Sequence, residues 1–352
     1  MREFTTGASA IVRGALAAGC DFFAGYPITP ATPILLEMMR EMPKTGGVAV
    51  QGEDEIASIG MCIGAAAAGR LPLTATSGPG LSLYSENLGL ALMAETPLVI
   101  VDVQRLGPAT GGATTVGQGD VQFARWGTGG GYPLLVLAPS SVAECYTLTV
   151  EAFALAQRFR CPVILLTDKE LNLTQTTVEF PPLPERPAAE SVLPVAPPFG
   201  AGEVVRVTGS THDERGLITK DPVKIEALNR GLLEKFAAHR EELERVRMDL
   251  QPDAETLWVS FGITARAMEE ALPHARAAGQ AVSCMVVQSL WPVPEKALRQ
   301  AAEGVKRIVV AELNPGLYVR EIQRLFPGHE IVSLHRIDGQ LLAPADFLKA
   351  GE

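Results

Sequence analysis

Short apolar runs punctuate the first half of the chain: Phe22-Phe23-Ala24, Leu73-Thr74-Ala75-Thr76, Leu98–Val103, Leu134–Leu137 and Pro162–Leu166. The stretches between them carry apolar residues at helical spacing. The runs predict strands and the periodic stretches predict helices at 8–19, 30–43, 53–69, 81–94 and 141–159. Strands alternating with helices imply a parallel α/β sheet.

The pattern lapses at 177–228 into proline-rich, polar sequence, Phe180–Pro187 and then Thr208–Gly216, which reads as an extended arm. A helix with mixed Glu, Arg and Lys is expected at 222–247, with a solvated face. A second α/β unit starts at Thr256–Gly262. It continues as a helix at 265–278, a strand at 281–287, a helix at 294–303, a strand at 307–312, a helix at 316–325 and a strand at Glu330–Leu334. The expected division is therefore 1–176, a connecting arm and charged helix at 177–252, and 253–352, with a parallel sheet in each outer segment.

Composition changes this picture mainly by exclusion. A chain of 352 residues, 47% hydrophobic and 20% charged, can bury more than one core. Its N-terminus lacks a signal pattern and no apolar run is long enough for a membrane span, so a cytoplasmic location is expected. A net charge of −10 without clustered Lys and Arg argues against a nucleic-acid partner. The cysteines Cys20, Cys62, Cys145, Cys161 and Cys284 are too scattered for a disulfide framework or iron–sulfur ligation, and the histidines lack metal-ligand spacing. No metal ligands are assigned, and any cluster chemistry is expected in a partner.

Candidate chemistry lies at the predicted strand ends. Gly25–Pro33 follows the first strand and opens a helix, with Thr29-Pro30 or Thr32-Pro33 as the cap; such a helix start either holds an anion or is an ordinary terminus. Glu53-Asp54-Glu55 begins the next helix, where acids commonly just complement the dipole. By helical spacing Glu53 shares a side with Ala57, Gly60 and Gly64, whereas Glu55 faces the side of Ile59 and Cys62. Thr76-Ser77-Gly78-Pro79-Gly80 is either a tight turn or a set of N–H donors for a ligand; it is not a Walker loop, and neither α/β unit has a Gly-x-Gly-x-x-Gly fingerprint. Arg105, at the end of the Leu98–Val103 strand, can grip a carboxylate with two N–H donors or make a local salt bridge.

Taken together, Tyr26–Pro30, Gln51–Ile59, Thr74–Gly80, Gln104–Gly111 and Gly117–Asp120 closely resemble the alpha subunit of 2-oxoacid:ferredoxin oxidoreductases, nearest the 2-oxoglutarate type. The resemblance extends through the arm, with its Thr208-Gly209…His212-Asp213, to a Rossmann-like C-terminal domain like that of transketolase. It implies an N-terminal domain that binds the aminopyrimidine of thiamin diphosphate, with Glu53 as the catalytic carboxylate on the ring nitrogen. Tyr26, Pro27, Ile28, Ser77 and Gly78 would line the cofactor, and Thr29 and Arg105 would hold the substrate carboxylate.

The resemblance further implies decarboxylation of a 2-oxoacid, acyl transfer to coenzyme A and reduction of ferredoxin. Mg2+, the cofactor's diphosphate grip and 4Fe-4S clusters would belong to a beta subunit, with gamma and delta subunits as further partners. Gly107-Pro108-Ala109-Thr110-Gly111-Gly112 departs from the family loop, which ends in Gly-x-Pro-Thr, and this bears on substrate choice. The same chemistry on a branched-chain 2-oxoacid or pyruvate is the near alternative. A non-catalytic scaffold subunit is the alternative of another class.

Overall fold

The computed structural model describes residues 2–182, 191–193 and 195–350; Leu183–Pro187 of the proline-rich run lie outside them. The chain opens on β1 (Arg2–Thr6) and α1 (Gly7–Ala17), whose first turn is capped by the Thr6 hydroxyl accepting from the Ser9 N–H at 3.2 Å. Next come β2 (Phe22–Gly25), α2 (Thr32–Glu41), β3 (Val48–Gln51), α3 (Glu55–Ala67), β4 (Pro72–Thr76), α4 (Gly78–Leu83), α5 (Ser85–Met93) and β5 (Leu98–Gln104). The half closes with α6 (Val121–Trp126), β6 (Leu135–Leu137), α7 (Val142–Phe159), β7 (Pro162–Asp168), α8 (Lys169–Leu173) and β8 (Gln175–Glu179).

Beyond the arm lie α9 (Pro222–Ala237), β9 (Val246–Asp249), β10 (Thr256–Ser260), α10 (Thr264–Ala277), β11 (Val282–Val287) and β12 (Ser289–Trp291). They are followed by α11 (Glu295–Ala301), β13 (Arg307–Glu312), α12 (Val319–Leu325), β14 (Glu330–His335) and α13 (Pro344–Ala350).

The first sheet has seven strands in the order β12-β6-β7-β5-β4-β2-β3, parallel except for β12. The second has five, β14-β13-β10-β11-β9, parallel except for β9. The expected α/β fold with two parallel sheets is therefore present, with an antiparallel strand at one edge of each. β12 belongs by sequence to the second unit yet pairs with β6, so backbone hydrogen bonds tie the chain of the second unit into the first sheet.

β4, β5 and β7 are buried along their whole length, which is why apolar residues dominate them. β5 sends Val99, Val101 and Val103 into one hydrophobic cluster and Leu98 and Ile100 into the other. Fully burying each such side chain stabilises the fold by about 1.5–3 kcal/mol. By the same alternation Asp102 points to the face of Leu98 and Ile100, where it is fully buried.

Several helices differ from expectation, α3 starting at Glu55 rather than at 53 and α12 at Val319 rather than at 316. α2 starts at Thr32 rather than at 30. The helix at 81–94 is two, α4 and α5, meeting at Tyr84, whose hydroxyl reaches Thr74 Oγ1 at 2.8 Å. The charged helix at 222–247 ends at Ala237; a short 3-10 turn at Arg240–Leu243 then buries Leu243, and β9 gains a backbone partner in β11.

Candidate active site

In a parallel sheet every carboxyl end lies on one edge. The order β5-β4-β2-β3 therefore sets Arg105, Ser77-Gly78, Tyr26-Pro27-Ile28 and Gly52-Glu53 side by side, the position where open α/β sheets take ligands.

Arg105 is buried, and its guanidinium spans two loops. One terminal nitrogen donates to the Thr29 carbonyl at 2.5 Å and the other to the Thr110 carbonyl at 3.0 Å. Nε is buried without a partner among the described residues. These bonds fix the guanidinium plane. Thr29 and Arg105 are thus brought together, through a main-chain carbonyl; the Thr29 side chain is exposed.

Thr29 is not a helix cap. α2 is preceded by Ala31 in a helical conformation, and no side chain caps its first turn. The Thr29-Pro30 bond is cis, and a residue before proline is driven away from helical backbone. Thr32, the other candidate, is already within the helix.

The three acids after β3 diverge. Asp54 is the N-cap of α3 and accepts from the Ala57 N–H at 2.7 Å. Glu55 is buried on the inner face of α3. Glu53 is exposed and makes no hydrogen bond within the described residues, so it is available to a group that lies on the sheet edge from outside. Glu53 precedes α3, so its expected helical register with Ala57, Gly60 and Gly64 does not hold; on the helix itself Gly60 and Gly64 are open, with nothing within 4 Å of an added Cβ, and Ile56 is half exposed.

A cavity of about 600 Å3 opens beside Arg105 and Gly78. Asp120 and the Gly107-Pro108 turn also line it, and its far wall is Leu313, Asn314, Pro315 and Ile337 of the C-terminal unit. Glu53, Tyr26, Pro27, Ile28, Thr29 and Ser77 do not line it. Ser77 Oγ is buried and unpartnered among the described residues, which leaves an unsatisfied polar atom in the turn after β4. An exposed carboxylate without an internal partner and an unpaired buried hydroxyl on the same edge fit the pyrimidine half of thiamin diphosphate.

The residues around this edge include two acids that carried no expected role. Asp102 and Asp120 lie against each other, and burial raises both carboxyls above the usual range, Asp102 the more strongly. Another missed group is Gln118. Its Oε1 accepts from Thr264 Oγ1 at 2.9 Å and from the Leu313 N–H at 3.1 Å, and its Nε2 donates to the Phe261 carbonyl at 3.2 Å. Asp168 adds a second tie: it accepts from the Leu171 N–H at 3.0 Å and the Ile263 N–H at 2.8 Å, and burial pushes its carboxyl up to about 6. The only sequence signal for Gln118 and Asp120 was their place in Gly117–Asp120.

Gln118 and Asp168 thus occupy the first βα turn of the C-terminal unit. Glu312 fills the start of α12 in the same way, accepting from the Tyr318 and Val319 N–H groups at 2.9 and 3.0 Å. All five cysteines are unpaired and buried. Among the described residues there is no group of three or more His, Cys, Asp and Glu able to hold a metal, and no helix is long and apolar enough to cross a membrane. A larger cavity of about 740 Å3, between the arm and α9, contains none of the predicted site residues.

Comparison with known proteins shows the family. Residues 13–230 match the family described as pyruvate flavodoxin/ferredoxin oxidoreductase, thiamine diP-bdg, and residues 254–347 match pyruvate:ferredoxin oxidoreductase core domain II. The chain is 41% identical to 2-oxoglutarate synthase subunit KorA of Methanothermobacter marburgensis, over 98% of this chain and 97% of that one. It is 37% identical to ketoisovalerate oxidoreductase subunit VorB of Methanothermobacter thermautotrophicus, over 99% and 96%. Among solved structures it superposes on 2-oxoglutarate:ferredoxin oxidoreductase from Magnetococcus marinus with a TM-score of 0.92 at 31% identity, covering 99% of this chain and 64% of that chain. It spans a little under two thirds of that protein. A split gene transketolase, at 13% identity and a TM-score of 0.58, shares the fold alone. This chain belongs to the pyruvate flavodoxin/ferredoxin oxidoreductase family and carries its thiamin diphosphate-binding domain.

Proposed function

We propose that this chain is the alpha-type subunit of a 2-oxoglutarate:ferredoxin oxidoreductase, converting 2-oxoglutarate and coenzyme A to succinyl-CoA and carbon dioxide with reduction of ferredoxin. Residues 1–176 form the pyrimidine-binding domain and 253–352 the Rossmann-like domain behind it. The observation that carries the reading is Arg105, fixed by the carbonyls of Thr29 and Thr110 at the sheet edge, with Gly78 on the same cavity.

When bound, thiamin diphosphate supplies the electron sink for decarboxylation. Glu53 holds a proton at the pyrimidine ring nitrogen and is the catalytic residue of this chain. Tyr26, Pro27 and Ile28, with Ser77 and Gly78 of the neighbouring turn, would line the cofactor. Arg105, already aligned, turns its remaining N–H groups to the carboxylate of the 2-oxoacid, a charge-assisted contact that fixes the substrate's orientation. The Thr29 hydroxyl, exposed beside it, supports the same carboxylate.

Glu53 and the open face of α3 need a covering surface to exclude water. We assign that surface to a beta subunit that also brings Mg2+, the diphosphate contacts and 4Fe-4S clusters; gamma and delta subunits complete the complex. The similarity to the ketoisovalerate subunit favours a branched-chain 2-oxoacid as the second reading. Co-expression with the beta-type subunit, followed by 2-oxoacid-, coenzyme A- and thiamin-dependent reduction of a viologen dye across a substrate panel, tests both. Glu53→Ala is expected to abolish reduction by the assembled complex; full activity in that variant would overturn the assignment.

A further inference from the structure

Buried polar atoms without partners are concentrated behind the candidate site. Both carboxylate oxygens of Asp102, Oδ2 of Asp120, Nε of Arg105 and Oγ of Ser77 are sealed from solvent and unpaired among the described residues. An ionised carboxylate in such a place would carry the full cost of desolvation. Asp102 is fully buried on β5, flanked in register by Thr76 of β4 and Leu166 of β7, neither of which brings a charge. What faces it is the carboxyl group of Asp120, and among the described residues the cation acting on both is Arg105.

Asp120 is held in place from the other side. Its N–H donates to Gln104 Oε1 at 3.1 Å, and its two oxygens come within 3.0 Å of where a Cβ on Gly78 would lie. The pair therefore sits between the Gly78 turn and Arg105, where Asp120 lines the cavity and Asp102 does not.

We propose that Asp102 and Asp120 share a single proton, Asp102 donating to Asp120, and that the one remaining negative charge is the counterion that limits how tightly Arg105 holds the substrate carboxylate. Two ionised carboxylates in contact repel each other strongly, and two neutral ones would leave Arg105 uncompensated. One proton satisfies both constraints, and it gives Asp102 the hydrogen bond it otherwise lacks. The two acids are positioning residues: neither touches the reacting atoms, and their effect passes through Arg105. The inference rests on the reading of Arg105 as the carboxylate-binding residue.

Infrared difference spectroscopy of the assembled complex tests the proton directly. A protonated carboxyl band is expected at a pH above the ordinary carboxyl range, and it should vanish in Asp102→Asn. Its absence from the wild-type complex, which needs no variant, or its persistence in Asp102→Asn, would overturn the shared proton. Steady-state kinetics test the charge. Asp120→Asn removes the counterion and should lower KM for the 2-oxoacid by roughly threefold or more, as expected of one unit charge near Arg105, with a smaller change in kcat. An unchanged or raised KM overturns the counterion role even if the infrared band behaves as expected. Should Arg105→Ala leave KM unaltered, the underlying reading of Arg105 fails while the infrared result stands independently.

Discussion

The turn between β10 and α10 offers a sharp test of how the C-terminal unit is fixed to the active-site sheet. Gly262 has a φ of +60°, and a Cβ there would overlap Gln118 Nε2 and lie 2.9 Å from Asp168 Oδ2. In Gly262→Ala the left-handed backbone costs about 1–2 kcal/mol. The methyl group also displaces the Gln118 amide, which makes three side-chain hydrogen bonds across the junction, to Phe261, Thr264 and Leu313. At about 1 kcal/mol each, these raise the total to about 4–5 kcal/mol. Gly279 is the internal control: its φ is +86° and an added Cβ meets nothing within 4 Å, so Gly279→Ala costs the backbone term alone. Urea denaturation and calorimetry of the two variants should separate them by about 3 kcal/mol. If Gly262→Ala is no less stable than Gly279→Ala, the Gln118 junction does not hold the unit in place and the argument fails.

Other consequences concern charge. Asp168 has its carboxyl raised to about 6 by burial, against which the Leu171 and Ile263 N–H groups pull. The native state thus holds a proton that the unfolded chain, near 3.9, has released. Stability contributed at this site is greatest at low pH and is lost as pH rises through about 6, amounting to about 1 kcal/mol between about pH 5 and about pH 7. Asp168→Asn should flatten that decline in a stability–pH series; an unchanged slope would exclude Asp168 as its source. At Arg105 the lysine variant keeps the charge and loses the fork that bridges Thr29 and Thr110. Arg105→Lys should raise KM for 2-oxoglutarate by about tenfold with a lesser effect on kcat, and a wild-type KM would show that the fork is not used.

The interior strands were legible in the sequence because burial on both faces leaves an unmistakable mark. β5, β7, β10, β11 and β13 are all dominated by apolar residues. β3 escaped notice because Val48 and Gln51 face solvent at the sheet edge, leaving too short an apolar signal. β12 is three residues long, and its partner β6 lies more than a hundred residues earlier; nothing local announces such a pairing. The overlong charged helix has the converse cause: Arg240, Glu241 and Glu242 are good helix formers, and the pull of Leu243 into the core and of β9 onto β11 is tertiary. At the site, loops rich in Gly and Pro at strand ends carried the chemical signal, so the row of residues along the edge was visible. Asp102 was not, since an acid within an apolar strand has no motif, and its pairing with Asp120 appears only when β5 and the start of α6 are brought together.

That pairing and the Gly262 junction describe one design. A parallel sheet with helices on its faces would ordinarily leave its βα turns free to hold phosphate. In the C-terminal unit those positions are filled by carboxyl groups of the chain itself, at Ile263 by Asp168 of the first unit and at the start of α12 by Glu312. A carboxylate already seated on these N–H groups repels an incoming anion as well as blocking it. The unit is thereby turned from a nucleotide-binding surface into a wall: Leu313, Asn314 and Pro315, which follow directly after Glu312, face Arg105 and Gly78 across the cavity. Gln118 stands between the two halves and Asp120 follows two residues later, so the segment that fastens the wall also carries the acid beside Arg105. A change that loosens Gln118 should therefore be felt in KM for the 2-oxoacid as well as in stability.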